Sequence, residues 1–313
     1  MLNKKETQIL KELDKNSRQS NSQIAKKVGM NKETVNYTIR KLEDQNIIRG
    51  YFSLVNYFKL GSNIFKLLIR FKDIGEKGEK KIIDWLIKKE SVIWVGVIDG
   101  KWDIIIALRN NNLEKIYGIL EDFNNLFSKN IQEKQLLIAY EMEWLNEKYL
   151  YLDKRENYNV NLNQRDKKET LDKIDLKIIY ELELNARASL IKISSKIKLT
   201  AESIAKRIKN LVKKKIIAGF KIRLNAEKLG NKYAHLFVSL RDFSKIDEIT
   251  AYYENLENCV FIMKYHGNYD LHLELIANSN KDFRKIISDF REKFGNSVSD
   301  YHLLTILEEF KLS

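Results

Sequence analysis

Cysteine and proline are almost missing from this chain of 313 residues, which has one cysteine, Cys259, and no proline. A lone cysteine excludes an internal disulfide framework and any cysteine-based metal site within one chain. The want of proline accompanies an abundance of Lys, Ile and Asn, a sign of compositional bias that says little about mechanism. No apolar run reaches the about 18 residues that a membrane span requires. The N-terminus has no signal-peptide pattern. The expectation is a cytoplasmic protein with no membrane partner.

Catalytic signatures are missing too. No Ser–His–Asp set, Walker motif or glycine-rich phosphate loop occurs. The histidines are His235, His266, His272 and His302. Strand alternation puts His272 on the face of Glu274, but no carboxylate or cysteine completes a metal spacing. The residues therefore predict core or surface histidines, no catalytic group, no metal and no cofactor.

Positive charge is plentiful and unevenly placed. The formal net charge is +13. Residues 1–50 hold about eleven Lys and Arg against six Asp and Glu, and residues 171–223 about fourteen against five. These two stretches account for essentially the whole surplus. Charge confined in this way points to a polyanionic partner.

The same two stretches are copies of each other. Residues 16–50 align without a gap on residues 185–219: Asn16, Arg18 and Ser20 meet Asn185, Arg187 and Ser189, and Ile47, Ile48 and Gly50 meet Ile216, Ile217 and Gly219. Each copy reads as a helix-turn-helix. Ser20 and Gln23 form a capping-box pattern, Gly29 can end the first helix, and Asn31 caps a second helix with a buried stripe of Val35, Ile39 and Leu42. Copy two keeps that stripe as Ile204, Ile208 and Leu211, but has Lys198 at the turn and Lys192 in place of Gln23. Its turn should be slightly less stable and still form. Two helices joined by a short turn are a DNA-binding unit whose second helix enters the major groove. A strand directly after that helix makes each unit winged.

A second kind of unit also recurs. Alternation predicts a strand over 64–72, a helix over 76–90, strands over 92–98 and 103–108 around an Asp99-Gly100-Lys101-Trp102 turn, a helix over 112–127 and a strand over 136–140. The order is βαββαβ, a ferredoxin-like split unit. The second half repeats it, with Gly267-Asn268-Tyr269-Asp270 over Gly100-Lys101-Trp102-Asp103. The polar, aperiodic stretch 152–168 reads as a linker. Strand 92–98 is apolar on both faces, so its sheet needs a partner sheet, which the second half would supply through faces around Val95 and Phe237.

A winged helix-turn-helix, a Leu-Gly connector (Leu60-Gly61, Leu229-Gly230) and a βαββαβ unit with a Gly-x-aromatic-Asp turn resemble the Lrp/AsnC (feast/famine) family of transcription regulators, here as a tandem fusion. The motifs are Asn-x-Arg-x-Ser (16–20, 185–189), Ile-Ile-x-Gly (47–50, 216–219) and Gly-x-[Trp/Tyr]-Asp (100–103, 267–270). The resemblance covers nearly the whole chain apart from the linker. It implies an α+β chain with two winged helix-turn-helix domains and two ferredoxin-like βαββαβ (RAM-type) domains in tandem. The expected parts are 1–61 (first winged unit and connector), 62–148 (first sensing domain), 149–170 (linker), 171–230 (second winged unit and connector) and 231–313 (second sensing domain).

Family members bind operators as dimers and many sense amino acids where their ferredoxin-like domains meet. The resemblance thus implies a sequence-specific regulator with double-stranded DNA and an amino acid or other small effector as partners. It would act as an intramolecular pseudo-dimer, with further homo-oligomers left open. DNA-contact candidates lie off the buried stripes or beside them: Thr34, Asn36, Tyr37, Arg40 and Lys41 in copy one, and Ser203, Lys206, Arg207, Lys209 and Asn210 in copy two. Arg and Asn read guanine and adenine edges, whereas Lys more often finds phosphate. The family usually has Arg before the recognition-helix Ile; Arg207 matches and Thr38 departs, so the second unit should contribute more affinity. Gly100, Asp103, Gly267 and Asp270 are the effector candidates, with a plain hairpin turn whose Asp caps local amides as the other reading. Two rivals stand beside the regulator: an enzyme like the siroheme decarboxylases built on the same scaffold, and a small-molecule sensor that no longer binds DNA.

Overall fold

The computed structural model describes residues 2–150 and 158–310. In chain order, α1 (Lys4–Lys15), α2 (Asn21–Val28), α3 (Lys32–Asp44) and β1 (Ile48–Val55) come first. Then follow β2 (Asn63–Phe71), α4 (Glu76–Leu86), β3 (Val92–Asp99), β4 (Ile104–Asn110), α5 (Leu113–Phe127) and β5 (Ile131–Trp144). After β6 (Val160–Asn163) the series repeats as α6 (Lys173–Leu184), α7 (Leu190–Ile197), α8 (Ala201–Lys213) and β7 (Ile217–Leu224). It closes with β8 (Lys232–Leu240), α9 (Ile246–Glu254), β9 (Cys259–His266), β10 (Leu271–Ala277), α10 (Asn280–Phe294) and β11 (Val298–Phe310). The chain separates into a unit holding both helix-turn-helix copies and a unit holding both βαββαβ copies.

In the first unit the helix ends follow from their caps. Asn3 and Glu6 form a reciprocal capping box on α1, and Ser20 and Gln23 form another on α2. Each box satisfies amides that a helix start leaves without partners. Gly29 ends α2 in the left-handed conformation at φ +66°, as its lack of a Cβ allows. Lys198 ends α7 in the same conformation at φ +61°, so the turn forms in copy two against the side chain's preference. The stripes Val35, Ile39, Leu42 and Ile204, Ile208, Leu211 are buried.

The wing differs from a self-contained hairpin. Each copy supplies one strand, and β1 pairs antiparallel with β7 of the other copy. A lone strand would leave a row of unpaired amides and carbonyls, and the duplicate provides the missing edge. The contacts are reciprocal. Ser17 N–H donates to Phe220 O at 2.9 Å, and Ala186 N–H to Tyr51 O at 3.0 Å. Arg18 donates through Nη1 to the carbonyls of Ala186 and Ala188, and Arg187 through Nη1 to those of Ser17 (2.6 Å) and Gln19 (3.0 Å). The arginine of Asn-x-Arg-x-Ser thus joins the copies, while its Asn orders the loop and its Ser caps the next helix. Beneath them the Lys221 ammonium meets Asp14 at 3.2 Å, both side chains buried.

The second unit is one antiparallel sheet closed on itself. Its order runs β2-β4-β3-β11-β8-β10-β9-β5, and β5 returns to β2. The halves therefore join edge to edge, through β3–β11 and β5–β9, rather than only by facing sheets. Val95 does not face the other half. It packs with Val92, Ile82, Ile83 and Leu86 on the helix side. The register of β3 slips between Val92 and Trp94, and one extra residue reverses the faces that follow. Trp94 consequently points inward, and Phe237 also lies inside, flat against His272.

Other boundaries shifted. Helix α4 stops at Leu86 rather than 90, and β5 and β11 are longer than alternation suggested because the other half extends their pairing. Of the linker, residues 151–157 lie outside the described residues, while 160–163 form β6 beside β5.

Two stability outcomes follow. Arg187→Ala should destabilise the chain by about 1.5–3 kcal/mol in urea unfolding, because charge-assisted bonds to carbonyls are lost; the exposed Arg40→Ala should change it by no more than about 0.5 kcal/mol. Lys198→Gly should raise stability by about 1 kcal/mol, since a left-handed residue without a Cβ is unstrained; differential scanning calorimetry reads the change.

Candidate nucleic-acid interface

The recognition helices α3 and α8 bury one stripe each and present the rest to solvent. On α3, Tyr37 is 71% exposed and Arg40 is exposed beside it. Asn36 is half-buried and accepts a hydrogen bond from Asn21, whose own side-chain oxygen accepts from Arg187. Thr34 sits in the first turn, its N–H capped by the Asn31 side chain. On α8, Lys206, Lys209 and Asn210 are exposed, and Ser203 donates its N–H to the Thr200 hydroxyl.

Two expected DNA contacts are occupied within the protein. Lys41 donates to Glu6 at 2.7 Å, and this bond holds the Glu6 carboxyl below its ordinary range. Arg207 bridges Asp175 (2.7 Å) and Asp172 (2.8 Å), and these hydrogen bonds raise its pKa. Arg207 thus ties α8 back to the start of α6, which alters the role expected of it. Its counterpart Thr38 is buried. Of the charged residues expected to contact DNA, Arg40, Lys206 and Lys209 are exposed. The sequence could not show the pairing of Arg207, because Asp172 and Asp175 lie on another helix.

Each part of the Gly-x-aromatic-Asp turns makes a contact within the protein. Gly100 and Gly267 have φ of +140° and +147°, and a Cβ on either would lie 2.7 Å from Leu304 or Leu137, on the last strand of the other half. The aromatics meet each other, with Trp102 Nε1 donating to the Tyr269 hydroxyl at 3.1 Å in the interior. Asp103 accepts from Phe71 N–H (2.6 Å) and Asp270 from Leu240 N–H (2.7 Å), each closing the end of the first strand. The four effector candidates are thus placed where the halves touch, with local packing and capping roles.

A buried polar set was missed by sequence reading. His235 on β8 and His272 on β10 share a hydrogen bond, His272 Nε2 to His235 Nδ1, at 3.0 Å. Glu274 Oε1 lies 4.0 Å from Nε2 of each, and its other oxygen accepts from the Tyr233 hydroxyl at 2.6 Å. Lys66, in the matching position of the first half, is buried with its ammonium 4.4 Å over the Trp94 ring. Burial, followed by the Lys66 charge, holds His235 well below its ordinary pKa; burial, then His235 and Lys66, does so for His272. Burial raises Glu274. The shared face of His272 and Glu274 was legible from alternation, whereas the arrival of β8 beside β10 was not.

Comparison with known proteins agrees with this construction. Residues 2–49 match a family model described as winged helix-turn-helix DNA-binding, and residues 171–212 one described as the AsnC-type helix-turn-helix domain. An uncharacterized HTH-type transcriptional regulator of Pyrococcus furiosus is 31% identical over 122 residues, covering 38% of this chain and 81% of that protein. The HTH-type transcriptional regulator Ptr1 of Methanocaldococcus jannaschii is 32% identical over 141 residues, 45% of this chain and 95% of that protein. Among solved structures, the siroheme decarboxylase NirDL aligns at a TM-score of 0.66 and 13% identity over 98% of this chain and 92% of that one, a likeness of fold. Less than half of this chain thus spans nearly a whole relative, as a duplication requires. The chain belongs to the Lrp/AsnC family of DNA-binding transcription regulators, in a form that carries the unit twice.

Proposed function

We propose that this chain binds one operator as a built-in pseudo-dimer, with α3 and α8 in successive major grooves of an imperfect palindrome. The observation behind this reading is the reciprocal pairing of β1 with β7, reinforced by Arg18 and Arg187. It relates the two helix-turn-helix copies as the subunits of a dimer are related. Their exposed faces are unlike: Asn36, Tyr37 and Arg40 on one, Lys206, Lys209 and Asn210 on the other. Such a reader suits unlike half-sites about one helical turn apart, roughly 34 Å.

The proposal divides the labour differently from what Arg207 suggested. The first copy offers Asn36 and Arg40 for base edges, and the second sets the phosphate-seeking Lys206 and Lys209 beside Asn210. The working parts are 1–61, 62–148, 171–230 and 231–313, joined through 149–170, and the cytoplasm is the proposed site of action. An amino-acid effector would act at the turns holding Gly100, Asp103, Gly267 and Asp270. Exposed glycines where two halves touch favour that position, since a ligand there would bear on both.

An enzyme acting on siroheme is the second reading, and the buried His235–His272 pair is the observation in its favour. The rings of Phe237, Phe261, Tyr265 and Trp94 enclose that pair and leave this reading second.

Two measurements test the regulator. Duplexes selected from random DNA and footprinted on single-chain complexes, with mass fixed by light scattering, should show two unlike half-sites per chain; a perfect palindrome shared by two chains would refute the pseudo-dimer. In binding titrations across salt concentrations, Lys206→Ala and Lys209→Ala should each lower the slope of log affinity against log salt by about 1. Arg40→Ala should cost about 1–3 kcal/mol on the selected site and relax one base position. Arg207→Ala should leave the salt slope unchanged.

A further inference from the structure

In the interior of the closed sheet His235, His272 and Glu274 from the second half converge. Their counterparts in the first half are Lys66, Ile105 and Ala107, counted from the matching turns. We propose that these three residues bind a single divalent first-row transition ion, at a site distinct from the DNA-reading helices and from the turns.

The geometry is that of a metal set. One donor atom from each residue can be chosen so that all lie within 4.8 Å of one another. Donors that share an ion at bonds of about 2.0–2.2 Å stand no more than about 4 Å apart. His272 Nε2 stands 3.0 Å from His235 Nδ1 and 4.0 Å from Glu274 Oε1, and the set as a whole would draw in slightly around an ion. Each donor is also held from behind. Tyr233 fixes the Glu274 carboxylate at 2.6 Å, Phe237 lies parallel to the His272 ring at 4.4 Å, and Trp94 stacks on the His235 ring at 5.9 Å. Outer partners of this kind orient ligands and tune a site.

The polar groups around the set have few partners within the protein. His272 is fully buried, yet its Nδ1 has no hydrogen-bond partner. Among the described residues, the buried Lys66 ammonium makes no hydrogen bond either. The nitrogen of His272 that faces His235 and Glu274 is Nε2, so an ion held there would leave Nδ1 as the N–H side of the ring. Two imidazoles and one carboxylate suit zinc, cobalt or nickel better than magnesium or calcium, and leave coordination positions open. The carboxylates of Glu274 and Glu309 supply the negative charge near Lys66 and the ion. Glu274 remains 16% exposed, which leaves a route from solvent.

The test uses the full-length chain, stripped with a chelator and titrated with Co²⁺ in the absence of DNA, so that it stands or falls apart from the operator reading. One Co²⁺ per chain should bind, with visible ligand-field bands of nitrogen and oxygen ligation that Zn²⁺ abolishes. Glu274→Gln, which keeps shape and the Tyr233 contact, should weaken binding by at least about tenfold. His272→Phe, which keeps the ring packing, should abolish the bands, and His302→Gln should change nothing. Absence of Co²⁺ from the wild-type chain after gel filtration would overturn the proposal. So would wild-type affinity in a folded His272→Phe or Glu274→Gln variant.

Discussion

An unpaired strand edge is the constraint on which this molecule depends. Each copy of the repeat ends its helix-turn-helix with one strand, and each βαββαβ copy leaves two edges open. Amides and carbonyls on such edges must be satisfied. The duplicate answers every one of them: β7 completes β1, β11 completes β3, and β9 completes β5. The arginines that cross the ribbon are the local expression of this rule, since each directs its guanidinium at carbonyls of the opposite copy. The Asn-x-Arg-x-Ser and Gly-x-aromatic-Asp motifs each make contacts between the copies.

Much of this was legible in the sequence, for a physical reason. Caps act over three or four residues, so Ser20 with Gln23 and Asn31 with Thr34 could be read directly, as could the buried stripes of α3 and α8. Duplication exposed the domain order. What was not legible depended on contacts between distant segments. The inward or outward sense of β3 was misjudged because a single extra residue at Ile93 reverses the alternation, and nothing in VIWVGV marks it. Arg207 looked free for DNA because its carboxylates sit on a helix more than 30 positions earlier. The same distance hid His235 from His272.

The departures from symmetry are as informative as the symmetry. Where the copies meet, residues are retained in kind: Arg18 with Arg187, Gly100 with Gly267, Asp103 with Asp270. On the outward faces of the recognition helices and in the barrel interior they diverge. Lys66 stands where His235 does, and Trp94 where Phe261 does. In an assembly of identical chains any substitution near the axis is made twice, so a buried lysine would meet its own copy. A fused chain escapes this, and can set a cation on one side against aromatic and acidic groups on the other.

The covalent join between copies has a consequence for dose. Identical subunits that must first find each other occupy a two-site target with the square of their concentration when they are scarce. Here the ribbon of β1 and β7 forms within one chain, and dilution does not dissolve it. On the proposed reading of one chain per target, occupancy then rises in simple proportion to the number of chains. A cell holding few copies of this protein would keep a graded response where a dissociating dimer would fall silent.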